Sequence, residues 1–196
     1  MPAIAFFDFD GTITTKDTMI ELIKFHHGKL RLYAGLLLLS PWVMAMKSKI
    51  ISHQKAKEKM LSLFFKGYRE ETFSQICISF LQKKMPCLIN EKALAKISEH
   101  KLNGDIVVVV SASATNWIKG WCDDHKIKCI ATQMEIVDGR ITGKIAGINC
   151  NYSEKARRIK REYTLADYET VYCYGDSEGD KPMLYLATKA FYRSFK

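Results

Sequence analysis

Asp8-Phe9-Asp10-Gly11-Thr12 follows the apolar Ala5-Phe6-Phe7, so two carboxylates one residue apart stand where a buried run ends. Acids in that position cost stability unless a cation or a substrate uses them; the plain alternative is a solvated turn after an edge strand. A second acidic group, Gly175-Asp176-Ser177-Glu178-Gly179-Asp180, follows the apolar residues 170–174. Between the two, the β-branched residues 106–110 lead into Ser111-Ala112-Ser113, and Lys155 opens a basic segment. If these runs are parallel strands, their polar C-terminal ends converge on one crevice. Carboxylates gathered there repel one another, and a hard divalent cation such as Mg²⁺, which prefers oxygen ligands and a phosphate in its shell, relieves the repulsion. Ser111 and Lys155 supply the hydrogen-bonding and positive side that a phosphoryl group requires. Given a phosphate substrate, Asp8 is suited to attack phosphorus as an acyl-phosphate-forming nucleophile. Asp10 is suited to protonate the leaving oxygen and then deprotonate water. Spacing alone equally permits a passive metal site.

Positioning these residues requires strands before each cluster, and the pattern supplies them. Residues 106–110 suit a central parallel strand covered on both faces, residues 127–131 a shorter one, and residues 190–193 a last edge strand. Residues 115–123, 154–163 (with Ser153 as cap) and 181–187 read as helices, and Asp138-Gly139 as the turn of a hairpin over 135–143. Residues 15–85 differ: they are nearly all helix, beginning near the capping group Thr14-Thr15-Lys16-Asp17. A strand, a helical insert, then alternating helix and strand describe a three-layer α/β fold, with a core of 1–14 and 87–196 and a helical cap of 15–86 that leaves directly after Asp10-Gly11-Thr12.

Within the cap, residues 34–46 carry no charge, contain Leu36–Leu39, Pro41 and Trp42, and are flanked by Lys29, Arg31, Lys47 and Lys49. The run is too short to span a bilayer, which needs ~20 residues, and Pro41 bends it into two helices. Two readings stand side by side: the helices pack into the cap, or part of the 36–46 run dips into a lipid interface with Trp42 and the lysines at headgroup level.

Asp8-Phe9-Asp10-Gly11-Thr12, the strand leading to Ser111, Lys155 in a later helix and Gly175-Asp176 through Asp180 together resemble the four ordered motifs of the haloacid dehalogenase superfamily of phosphohydrolases. The resemblance implies a Rossmann-like core with a parallel sheet and a Mg²⁺-dependent aspartyl-phosphate mechanism. In it Asp8 is the nucleophile, Asp10 the general acid and base, and Ser111 and Lys155 hold the phosphate. Asp176 binds Mg²⁺ with the Asp8 carboxylate and the Asp10 carbonyl, while Asp180 orients Lys155 or a metal-bound water. A cap between the first and second motifs is similar to that of the branch containing phosphoserine phosphatases and a bacterial phosphatidylglycerophosphate phosphatase. Phosphoserine enzymes of that branch place a Glu soon after the first motif and an Arg in the cap. Here Asp17 or Glu21 stands in the first place and only lysines, Lys55 and Lys57, in the second, and a lysine lacks the guanidinium fork that grips a carboxylate. The apolar cap therefore favours a lipid-linked, phosphatidylglycerophosphate-like phosphate, with phosphoserine as the alternative.

The formal charge of +9 favours an anionic partner: a phosphate ester, an acidic lipid surface or nucleic acid. The basic helix around Arg157 and Arg158 lacks the aromatic interleaving of a nucleic-acid module, which argues against the last. Six cysteines without a C-x-x-C pair, and no secretory leader pattern, predict a reducing, cytoplasmic setting, at most at the inner face of a membrane. Two other classes remain open: a non-catalytic basic binder, for which both acids of the Asp8–Asp10 pair are superfluous, and phosphoryl transfer to an acceptor other than water.

Overall fold

The computed structural model describes residues 2–48 and 50–196; Lys49, one of the cations flanking the cap run, lies outside them. Five strands form one wholly parallel sheet in the order β3-β2-β1-β6-β7: β1 (Ile4–Phe7), β2 (Ile106–Ala114), β3 (Lys128–Thr132), β6 (Val171–Gly175) and β7 (Lys189–Tyr192). β1 lies at the centre, with Phe7 opposite Val109 on one side and Tyr174 on the other. Successive side chains of a strand point to opposite faces, so the sheet has two cores. Phe7, Val107 and Val109 pack with Ile97 of α5 (Glu91–Leu102) and Trp117 of α6 (Thr115–Asp124). Ile4, Phe6, Val108 and Val110 pack with Ile159 of α7 (Ser153–Glu162) and Met183 of α8 (Lys181–Leu184). Helix, sheet and helix make the three expected layers.

Among the described residues, four helices run between β1 and α5: α1 (Thr18–Leu38), α2 (Ser40–Lys47), α3 (His53–Phe65) and α4 (Glu70–Lys83). α1 is broken at Gly28, whose φ of 81° and ψ of 165° are non-helical, and the join to α2 falls at Leu39, just before Pro41. The hairpin β4 (Met134–Val137) and β5 (Arg140–Ile145) leaves the sheet to lie on α3. Its contact is close: a Cβ on Gly143 would stand 2.4 Å from Ser62, and Glu58 accepts the Ile145 N–H at 3.2 Å.

Three local expectations change. β2 does not stop at Ser111 but continues to Ala114, through a register shift between Ser111 and Ala114 that marks a bulge. Ser153 is the first helical residue of α7 and not its cap; Tyr152 precedes it with φ 50° and ψ −131°, a conformation a non-glycine residue holds at a cost of about 1–3 kcal/mol. The helix after Asp180 ends at Leu184, three residues early.

Candidate active site

The C-terminal ends of β1, β2 and β6 open into a cavity of about 610 Å³ lined by Asp8, Asp10, Asp17, Lys155, Asp176 and Asp180, among others. Asp8 follows β1 immediately and is still tied to the sheet by its backbone N–H, which donates to the Tyr174 carbonyl at 2.9 Å. Its carboxylate is 5% exposed and accepts a hydrogen bond at Oδ1 from Lys155 Nζ. The same ammonium, 1% exposed, donates to Asp180 Oδ1 at 2.7 Å. Burial pushes the Asp8 carboxyl up to about 8 against the opposing pull of Lys155. Burial pushes Asp180 the same way, yet Lys155 and Ser177 outweigh it and hold that carboxyl below its usual range. Lys155, between two acids, is raised despite its burial.

Asp180 organises its own loop. Its Oδ2 accepts the Asp176 and Ser177 N–H groups at 3.2 and 2.9 Å and the Ser177 hydroxyl at 2.7 Å. A Cβ on Gly175 would stand 2.5 Å from Asp180, so only glycine admits this fold-back. Gly11 is bound twice over: its φ is +80°, and a Cβ there would lie 2.5 Å from an Asp176 carboxylate oxygen. Carboxylate oxygens of Asp8, Asp176 and Asp180 all lie within 4.8 Å of one another. The donors are hard oxygens with no His or Cys among them, so the group fits Mg²⁺. Asp176 is the member held least firmly by the fold, paired at 2.9 Å with a half-exposed Lys196.

Asp10 faces elsewhere. Its Oδ1 accepts the Thr18 N–H at 2.7 Å and its Oδ2 accepts the Ser113 hydroxyl. Thr18 Oγ1 meets Ser113 Oγ at 3.0 Å and accepts from Trp117 Nε1 at 3.0 Å. This network joins the first turn of α1 to the end of β2 and fixes Asp10 apart from the three-acid group. Ser111 is fully buried, its Oγ accepting the Ser113 N–H at 2.9 Å; the cavity wall at this strand end is Ala112.

A second cavity of about 300 Å³ adjoins the first, sharing Asp10, Asp17, Ala112 and Asn151 with it. Its own walls are Met19, Val43, Met46 and Met60, with His53 and Lys57. Asp17, an exposed residue at the cavity rim, caps α1 through the Ile20 N–H at 2.9 Å. Lys57 reaches from α3 to donate to the Ala112 carbonyl, and burial lowers it against the pull of Asp10 and Asp17. Lys55 and Glu21 are not brought to either cavity. Two residues along a helix turn the side chain by about 200°, which leaves Lys55 exposed on the far side of α3. Glu21 faces Lys24 at 3.2 Å and Lys84, beyond α4, at 3.7 Å.

Ser113, Asn151 and Lys196 line or brace the site without having been singled out by the sequence. Asn151 borders both cavities, and a Cβ on Gly179 would stand 2.1 Å from its Oδ1. A glycine in a loop between two acids was the one available signal for it.

A family model described as haloacid dehalogenase-like hydrolase matches residues 5–185. The protein CicA of Caulobacter vibrioides is 31% identical over 202 residues, covering 100% of this chain and 87% of that one. Among solved structures, a Bordetella pertussis protein of unknown function aligns with a TM-score of 0.83 at 20% identity, over 97% of this chain and 89% of the other. A phosphoserine phosphatase solved as an analogue of its phospho-aspartyl intermediate aligns with a TM-score of 0.69 at 16% identity, over 96% and 85%.

Proposed function

The chain belongs to the haloacid dehalogenase-like hydrolases, and on that premise we propose that it hydrolyses phosphate monoesters through an acyl phosphate formed on the Asp8 carboxylate. The observation that carries this reading is the buried Lys155 bridging Asp8 and Asp180 beside Asp176, in the cavity where Asp10 also opens. Lys155 engages Oδ1 of Asp8, and Oδ2 attacks phosphorus as the bond to the leaving oxygen breaks. Asp10 in its acid form delivers a proton to that oxygen; as carboxylate it then takes a proton from water, which attacks phosphorus, releases phosphate and restores Asp8. The hydrogen bonds from Thr18 and Ser113 hold Asp10 in place for both transfers. Lys155 balances charge on the phosphoryl oxygens. Mg²⁺, held by Asp8, Asp176 and the Asp10 carbonyl, with Asp180 fixing Lys155, would supply further neutralisation of phosphoryl charge. Residues 15–86 act as the cap, and 1–14 with 87–196 as the catalytic core.

The neighbouring cavity bears on the substrate. Its methionine and valine walls suit a leaving group with an apolar part, and Lys57 with Asn151 suits a polar part near the ester. This favours an amphiphilic, phosphatidylglycerophosphate-like phosphate. Phosphoserine is the second reading, supported by Asp17 at the cavity, where it is placed to meet an ammonium group.

Hydrolysis of an aryl phosphate with and without Mg²⁺ tests the chemistry. Magnesium-dependent turnover that Asp8→Asn abolishes supports the proposal; turnover that survives Asp8→Asn overturns it. Catalytic efficiencies on phosphorylated metabolites and lipid phosphates measured in parallel decide between the two substrates.

A further inference from the structure

From the join between Glu21 and Glu58 the chain contains no acid, while Lys24, Lys29, Arg31, Lys47, Lys49, Lys55 and Lys57 all fall there. In the same stretch the fold leaves large apolar side chains in water. Leu30, Tyr33, Leu37 and Leu38 recur at helical spacing along the half of α1 beyond Gly28, and Leu30, Leu37 and Leu38 are 84%, 76% and 66% exposed. Past Leu39, Met44 and Ile50 are exposed as well. Neither helix needs this face for its own packing. α1 is fixed on its inner side by Leu32 and by Gly35, where a Cβ would stand 2.3 Å from Phe64. α2 is fixed by Val43 and Met46, which face the substrate cavity. A groove of about 370 Å³ between α1 and α3 has apolar walls of Ala34, Leu38 and Leu63 and takes one guanidinium, that of Arg31.

We infer that the outward face of α1 and α2 docks on an anionic lipid surface. Leucines exposed beside cations, without a single acid, match a layer that is apolar below and negative above. A second copy of the chain fits poorly, since a two-fold interface would set Lys29, Arg31 and Lys47 against their own counterparts. No helix among the described residues is long and apolar enough to cross a membrane, so the contact is peripheral. α2 has the docking face on one side and a wall of the substrate cavity on the other, which brings the cavity beside the headgroups. The inference goes beyond the catalytic reading and stands without it.

The full chain is mixed with vesicles of phosphatidylcholine alone and of equal parts phosphatidylcholine and phosphatidylglycerol, and both sedimentation and tryptophan emission are read. Trp117 and Trp121 are buried, so a change in emission reports Trp42, which is 40% exposed with Lys59 Nζ 4.4 Å above its ring. Sedimentation with the mixed vesicles and a blue shift are expected. Partition should fall at least about tenfold in Leu37→Asp/Leu38→Asp, and also in Lys29→Glu/Arg31→Glu, with melting temperature and aryl phosphate turnover unchanged. Absence of sedimentation, or equal sedimentation with neutral vesicles, overturns the inference. So does a concentration-dependent dimer that the leucine variant abolishes, which would assign the face to a second copy. Turnover is read separately, so loss of docking and loss of catalysis cannot be confused.

Discussion

The crevice at the sheet edge and the outer half of α1 are opposite solutions to the same constraint. In the crevice, charge is buried and almost every group is answered from within the chain: Lys155 by Asp8 and Asp180, Asp10 by Thr18 and Ser113. Along outer α1, Leu30, Leu37 and Leu38 are apolar and left mostly exposed by the described residues. Internal balance makes the first region costly to alter. The second tolerates change in isolation and should reveal itself only against a partner.

The sharpest test of that contrast is Asp8→Asn, which keeps the shape of the side chain and removes the proposed nucleophile. Turnover of an aryl phosphate should fall by about four to six orders of magnitude, with vesicle binding intact. Lys155→Met leaves two buried carboxylates without their cation, and unfolding in urea should show a loss of about 3–5 kcal/mol. A loss below about 1 kcal/mol would mean the crevice is wetter and more forgiving than its burial implies. Gly11→Ala adds a Cβ against Asp176 at positive φ, and should cost about 1–3 kcal/mol while weakening Mg²⁺ binding measured by calorimetry. At the other pole, Leu37→Asp/Leu38→Asp should shift stability in buffer by no more than about 1 kcal/mol; a larger loss would show that the face packs against something within the chain.

The smallest effect separates a balanced pair from a screened one. The Arg157 hydrogen bonds to Glu154, helped by Arg158, outweigh burial and hold its carboxyl at about 2, well below the ordinary 4.5. A depressed acid stabilises the fold above its unfolded pKa and loses that stabilisation as pH falls through the folded one. The melting temperature should therefore decline between pH 4.5 and 2, with a shallower slope in Glu154→Gln. Because Arg157 is largely solvated, the difference should be small.

The parts of the site legible in the sequence were those written as strand ends. A β-branched or aromatic run followed by acids has few ways to fold, so the sequence alone assigns Asp8, Asp10, Asp176 and Asp180 to one edge. Lys155 was legible as the first cation of a helix. What escaped depends on neighbours that periodicity does not encode. Asp17 and Glu21 share a helix, yet Glu21 meets a lysine beyond α4. Lys55 and Lys57 are adjacent in the pattern and point to opposite sides. The bulge that carries β2 to Ala114 turns Ser113 onto Asp10, while Ser111 bonds inward. Lys196 and Asn151 arrive from loops with no repeating signal at all. The helical character of 15–85 and its bend at Pro41 were readable from composition; which of its leucines face water was not, because both faces of the run are apolar.

Gly28 separates two jobs along one helix. Ahead of it, α1 carries Thr18, with Asp17 as its cap, at the cavity rim; behind it lie the exposed leucines, and no described residue outside its own stretch of helix comes within 4 Å of where its Cβ would be. An unbroken rod would act as a lever, passing any tilt of the outer turns straight to the Thr18–Asp10 contact. With the helix interrupted at Gly28, the direction of the outer turns is set separately from that of the rim, so a change in one half need not be passed rigidly to the other.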